Sequence, residues 1–306
     1  MKKVKIAFVP HGINSKYYFP ITEQSACYSE YKSFETEFRR RHGVDFVIFW
    51  NNRNIRRKQP GDVMLAYKVF CDSLPADLAR RVCLYMKTQI ADPNGTDLNA
   101  IKRNICPKYK VIFDEGIHPP HILNYLYNIA DVTINIASNE GFGLSNAESI
   151  MAGTVTITNV TGGLQDQCRF EIEDGLWVEF TPEFTSNHTG VYQKHGPWVK
   201  PVYPTNRSLQ GSIPTPYIFD DRCNFEHVAA KLLEWYSIPR SRRKELGLEG
   251  SMWMQSVESG MSASEMCNRM IQNIDHLFST WSAPNSSFEV EKYELKNLDT
   301  NIGIVI

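Results

Sequence analysis

Cysteine is sparse and unpatterned in this chain: seven residues among 306, an odd number, and none in a C-x-x-C spacing. That scatter gives neither a disulfide framework nor a zinc site and fits a reducing compartment. No stretch reaches the roughly 18 consecutive apolar residues that mark a membrane span. The apolar run behind the basic start MKKVKIAFVPHG is also too short for a signal peptide. Charge of one sign is not in excess: 33 Lys and Arg face 34 Asp and Glu, a net −1. Such a balance offers no electrostatic reason for nucleic acid or an anionic membrane as the main partner. No internal repeat is present. The expectation is a cytoplasmic protein without a transmembrane segment, in which sequons such as Asn206-Arg207-Ser208 occur by chance.

What the sequence does contain is a β-α-β-α rhythm over residues 44–160. Short apolar runs predict strands at Asp45–Trp50, Val82–Lys87, Lys110–Phe113, Val132–Ala137 and Thr154–Val160. Helical stretches fall near 60–73, 96–104, 119–129 and 145–152. Strands apolar on both faces and alternating with helices predict an α/β fold, a Rossmann-like doubly wound parallel sheet. Residues 1–180 form this core. Residues 181–222 carry six prolines interleaved with Trp198, Tyr203 and Tyr217 and read as an irregular or hairpin insertion. Residues 223–282 supply helices near 225–237, 240–257 and 262–281 that complete the same domain. The polar tail 283–306 ends in IGIVI and reads as a docking strand, an arm or a disordered segment.

Two stretches at the predicted carboxyl rim of the sheet concentrate chemistry. The first is EGFGLSNAE, 140–148, where the strand VTINIAS gives way to a helix. Its bland reading is strong: Ser145 and Glu148 form an S-x-x-E capping box, the glycines make a turn, and Glu140 is a solvated acid. Its location argues for more, because a helix N-terminus approached through glycines is an anion site. A dinucleotide fingerprint fits poorly, since Asn146 stands where the third glycine belongs. A phosphate-bearing ligand with hydroxyls for the carboxylates to hold fits better. The second stretch is NNRNIRRKQ, 51–59, directly after DFVIFW. Arg53, Arg56, Arg57 and Lys58 are either a solvated basic loop or a set of cations for a diphosphate.

Together these stretches resemble the retaining glycosyltransferases of the GT-B fold, family 4. The resemblance rests on R-x4-K (Arg53, Lys58), then E-x7-E (Glu140, Glu148) around EGFGL. Asn128-Ile-Ala-Asp131 is similar to the family's "ADV" segment, Ala152-Gly153-Thr-Val155 to its "A-x-G-x-PVI", and Gly162-Gly163 to its "GG". It covers about residues 4–180 and the helices after 222. Thr154-Val155-Thr156 and Gln59 depart from the pattern without removing a polar contact.

The resemblance implies roles. Arg53 and Lys58 would bind the donor diphosphate, and Glu140 would meet the transferred sugar near its reacting carbon. Gly141, Phe142, Gly143 and Leu144 would offer backbone N–H groups, and Glu148 would accept from the ribose. The donor would be a nucleotide-diphosphate sugar, UDP- or GDP-linked, with the base near the 112–118 loop and the acceptor unspecified. No D-x-D occurs, so the resemblance implies metal-independent transfer with no cofactor.

KIAFVPHGIN resembles the segment by which family members enter their C-terminal, donor-binding domain; otherwise it is a short strand and turn with His11 as a turn residue. The chain would then be the donor half of a two-domain enzyme: a fragment, a subunit completed by a separate acceptor-binding domain or a homo-oligomer, or a protein that rebuilds the acceptor side from its own 181–222 segment and tail. A non-catalytic nucleotide-sugar-binding subunit and a nucleotide-sugar epimerase are the alternatives.

Overall fold

The computed structural model describes residues 6–173, 176–178, 186–187, 192 and 194–282. The tail 283–306 and most of residues 179–193 lie outside the described residues, and with them the expectations for the tail and for the start of the insertion. Strand β1 (Phe46–Asn51) shows why the sheet is double-covered. Phe46, Ile48 and Trp50 enter one core layer, while Val47 and Phe49 enter the other. An apolar strand of period two with both faces buried requires helices above and below. It pairs in parallel with β2 (Val82–Lys87), which pairs with β3 (Lys110–Asp114). On its other side β1 meets β4 (Val132–Asn135), Ile48 opposite Val132, and β4 pairs with β5 (Thr156–Asn159).

After β5 comes a short antiparallel pair, β6 (Glu171–Glu173) with β7 (Leu176–Trp177). Strand β8 (Val199–Val202) then returns to the main sheet beside β5. Strands β9 (Asn206–Ser212) and β10 (Thr215–Arg222) make a separate hairpin. The main sheet runs β3-β2-β1-β4-β5-β8, all parallel.

Helix α1 (Tyr28–His42) ends at Gly43, and α2 (Pro60–Asp72) is followed by the single turn α3 (Ala76–Ala79). Helices α4 (Leu98–Ile105), α5 (Pro120–Ile129) and α6 (Leu144–Met151) alternate with the strands. Helices α7 (Phe225–Ser237), α8 (Arg240–Met254) and α9 (Ala263–Thr280) close the described chain. Helices α2, α4 and α7 pack on one core layer and α1 with α5 on the other. A third cluster joins α6 and α8 around stacked Trp198 and Trp253.

The strand and helix expectations hold for the core, with ends shifted by a residue or two. Two differences stand out. Val199–Val202 belongs to the sheet, from Thr156 opposite Val199 to Asn159 opposite Val202, so the parallel core extends into the presumed insertion. Pro201 hides it in the sequence, but an edge strand needs no N–H on its free side and tolerates proline there. The sequence reading also named no helix before residue 44, where α1 lies.

Candidate functional site

The strand order reverses between β1 and β4, and at such a switch point the two following loops diverge to leave a crevice at the carboxyl edge. The loop after β1 is pinned by Asn54, whose fully buried amide donates to the carbonyls of Ile90 and Thr96. A single 3-10 turn, Arg56–Lys58, follows, and Gln59 in left-handed conformation starts α2. The loop after β4 is tied to it directly: Ser138 N donates to the Arg57 carbonyl at 2.7 Å.

Glycine matters at two places in the second loop. Gly143, φ 92°, is the N-cap of α6, and a Cβ there would lie 2.4 Å from Leu164 Cδ2. Gly162, φ 51°, lets the 3-10 turn Gly162–Gln167 close under the loop, since a Cβ would meet the Glu140 carbonyl at 2.1 Å. Buried Gln167 completes the support by donating to the Phe142 carbonyl at 2.6 Å and accepting from Asn146 at 2.8 Å.

The crevice is a cavity of about 470 Å³ lined by His11, Asn51, Asn52, Arg57, Lys58, Leu123, Glu140, Phe142, Gly143, Leu144, Ser145 and Glu148. Glu140 is 7% exposed and held by two cations: Arg57 Nη1 donates to Oε2 at 2.7 Å, and Lys58 Nζ donates to Oε1. Burial pulls the Lys58 ammonium below its usual pKa, outweighing the opposing pull of Glu140. Glu148 sits deeper. Tyr127, itself fully buried, donates to its Oε2 at 2.7 Å and receives Asn51 Nδ2 at 2.9 Å, and the Tyr18 phenol lies close to Glu148 as well. Burial still pushes the Glu148 carboxyl above the usual range against both phenols. His11 stacks on Phe142, ring centroids 5.2 Å apart.

Of the residues singled out from the sequence, Lys58, Glu140, Phe142, Gly143, Leu144 and Glu148 come together around this cavity. Gly141 is exposed beside it and does not line it. Arg53 is corrected: it points away, donating to Asp92 at 2.8 Å with its side chain 62% exposed, and Arg57 occupies the rim instead. The capping box is corrected too. Gly143 is the N-cap, no side chain caps α6, and Glu148 turns inward to the tyrosines. The sequence reading gave no site role to Asn51, Asn52, Tyr18 or Tyr127; only the rim position of Asn51 and Asn52 after β1 signalled them. Asp220 and Asp221 are engaged elsewhere: Asp220 accepts from Asn139, and Asp221 from Thr161, Asn187 and Arg207. Among the described residues, no three His, Cys, Asp or Glu side chains converge as metal ligands do. None of the described helices is long and apolar enough to cross a membrane.

Solved glycosyltransferases share this fold. Sucrose-phosphate synthase from Thermosynechococcus elongatus matches with a TM-score of 0.56 at 17% identity over 89% of this chain and 53% of that one. HepE from Anabaena, solved with UDP and glucose, matches at 0.54 and 13% identity over 89% of this chain and 56% of that one. The C-terminal domain of the group 1 glycosyltransferase LpcC from Francisella tularensis matches at 0.51 and 14% identity over 79% of this chain and 96% of that domain. The chain thus spans about half the length of the first two and nearly all of the isolated domain. No family model and no curated protein matches the sequence. At these identities the likeness defines the fold: a Rossmann-like domain of the GT-B architecture.

Proposed function

We propose that the chain is the donor-binding half of a retaining, metal-independent glycosyltransferase of family 4 type, acting in the cytoplasm on a nucleotide-diphosphate sugar. One observation carries this reading. Two cations and a helix N-terminus converge on a crevice at the sheet's switch point, with the carboxylates of Glu140 and Glu148 both in its lining. The first N–H groups of α6 have no intrahelical partner and, with Arg57 and Lys58, suit a diphosphate. Glu148 has one oxygen held by Tyr127, which orients the carboxylate toward a ribose. Glu140 keeps the two cations in place before the donor arrives and stands where the transferred sugar would lie.

The chemistry follows from charge. Breaking the sugar–phosphate bond leaves a diphosphate beside an oxocarbenium-like carbon. Preorganised cations and N–H donors stabilise the departing oxygens more than the bound ground state, which lowers the barrier. Donor phosphates must draw Arg57 and Lys58 from Glu140, freeing that carboxylate to face the developing positive charge. The likeness to structures about twice as long supports a second domain or subunit for the acceptor.

Calorimetry with UDP, GDP and ADP tests the site: at least one is expected to bind well below millimolar, and silence from all three removes the assignment. Glu140→Gln tests the role of the carboxylate. It is expected to leave nucleotide affinity equal or tighter, since the cations lose a competitor, while turnover of a sugar donor falls about 100-fold or more. A parallel loss of both would make Glu140 a structural residue.

A further inference from the structure

A second cavity, about 350 Å³, opens at the opposite edge of the sheet, between α1, residues 20–22 and the first turns of α8. Its polar lining includes Lys32, Glu35, Arg240, Ser241 and Lys244. The charges around it do not balance. Glu35 is paired with Lys32, Arg39 and Arg240, and Asp131 with Arg39, Arg240 and Arg243. Lys244 has no carboxylate among the described residues and donates to the Asn128 carbonyl at 2.6 Å. Four cations thus share two carboxylates, and a fifth, Lys244, has none.

The helix itself makes the imbalance worse. Helix α8 begins Arg-Ser-Arg-Arg-Lys with no acidic residue in its first turn and no side-chain cap. A helix N-terminus is the positive end of the dipole, where cations are disfavoured and the leading N–H groups lack acceptors. The Nε atoms of Arg240 and of nearly buried Arg243 have no hydrogen-bond acceptor; Asp131 Oδ1 lies 3.6 Å from the former. Desolvation, aided by the Arg240 charge, pulls the Lys244 ammonium down to about 8. Within the cleft, an anion would satisfy the Arg240 guanidinium, the Lys244 ammonium and the leading N–H groups of α8 together.

We propose that this cleft is a second anion site that takes the phosphate group of a small molecule, held by Arg240, Lys244, Lys32 and the N-terminus of α8. A cavity of this size is at the small end of ligand pockets, so a phosphate monoester fits better than a nucleotide. Asn128, Ala152 and Gly153 in its wall precede β4 and β5, so it lies across the sheet from the donor crevice and the two sites are independent.

Calorimetry at low ionic strength with inorganic phosphate and with glycerol 3-phosphate tests the site on the whole chain and three variants. Binding is expected in the parent and is expected to survive Lys58→Ala, which disables the donor crevice. Lys244→Met is expected to weaken it about tenfold, the value of one charge-assisted contact. Ser241→Glu supplies a carboxylate in cis: phosphate binding should vanish and the melting temperature rise, an outcome no generally disruptive substitution gives. Tighter binding of glycerol 3-phosphate assigns the site to phosphate esters, and equal binding assigns it to the ion itself; either supports the proposal. Silence with both probes, loss of all binding in Lys58→Ala, or a lowered melting temperature in Ser241→Glu with binding intact overturns it.

Discussion

Arg53 and Lys58 lie five positions apart in one basic run, yet only Lys58 reaches the crevice. Lys58→Ala is therefore expected to weaken nucleoside diphosphate binding by about 1.5–3 kcal/mol, the range for a charged hydrogen bond. Arg53→Ala should leave that affinity unchanged but lower the melting temperature, since it removes the cation paired with the buried Asp92 carboxylate. Calorimetry and thermal melting on the two variants check both. Glu148 carries a trade between stability and binding. Its carboxyl is raised above the unfolded value by burial, so the native state holds the proton more tightly. Stability from this group is present below the ordinary glutamate pKa and is lost as pH rises through the raised one. Glu148→Gln, whose carbonyl still accepts from Tyr127, should raise the melting temperature at neutral pH, flatten its decline with pH, and weaken nucleotide binding. An unaltered melting profile would mean the carboxylate is better solvated than its burial implies.

At the scale of elements, the alternation of apolar runs and helices was legible because period and length follow directly from burial on one or two faces. The R-x4-K and E-x7-E spacings placed the two loops correctly, since loops after parallel strands all emerge on one edge. Side-chain direction within those loops was not legible. Arg53 turns to Asp92 while Arg57 and Lys58 turn to Glu140, and a left-handed glycine at the N-cap leaves Glu148 facing inward instead of capping. Neither choice has a periodic signature. Strand β8 was masked by its proline, and Tyr127 looked like ordinary core on an apolar helix. Gly143→Ala tests how much the loop depends on its turn. Positive φ together with the contact to Leu164 should cost about 1–3 kcal/mol, and the displaced first turn of α6 should weaken nucleotide binding as well. Chemical denaturation and calorimetry would show the two losses together.

On the scale of the whole molecule, the described chain is closed by one narrow seam. Ile13 N donates to the Met261 carbonyl and Ala263 N to the Ile13 carbonyl, with Ile13 bridged in parallel to Ser262. Gly12 packs so tightly that an added Cβ would lie 2.7 Å from Ala263 Cα. Helix α9 beyond it buries no residue of its own. The seam therefore joins segments almost a full described chain apart in sequence through few hydrogen bonds, with Ile13 and Met261 buried beneath it. Closing so long a loop costs entropy that local elements never meet, so these contacts form after the sheet and its helices are in place. With so few hydrogen bonds, and with α9 beyond it burying nothing, the seam opens at lower energy than the sheet, distinct from global unfolding. Hydrogen exchange at the Ile13 and Ala263 amides is expected to run orders of magnitude faster than in β1, and Gly12→Ala should accelerate it further while leaving β1 protected. The fold thus has a clasp that fastens last and slips first.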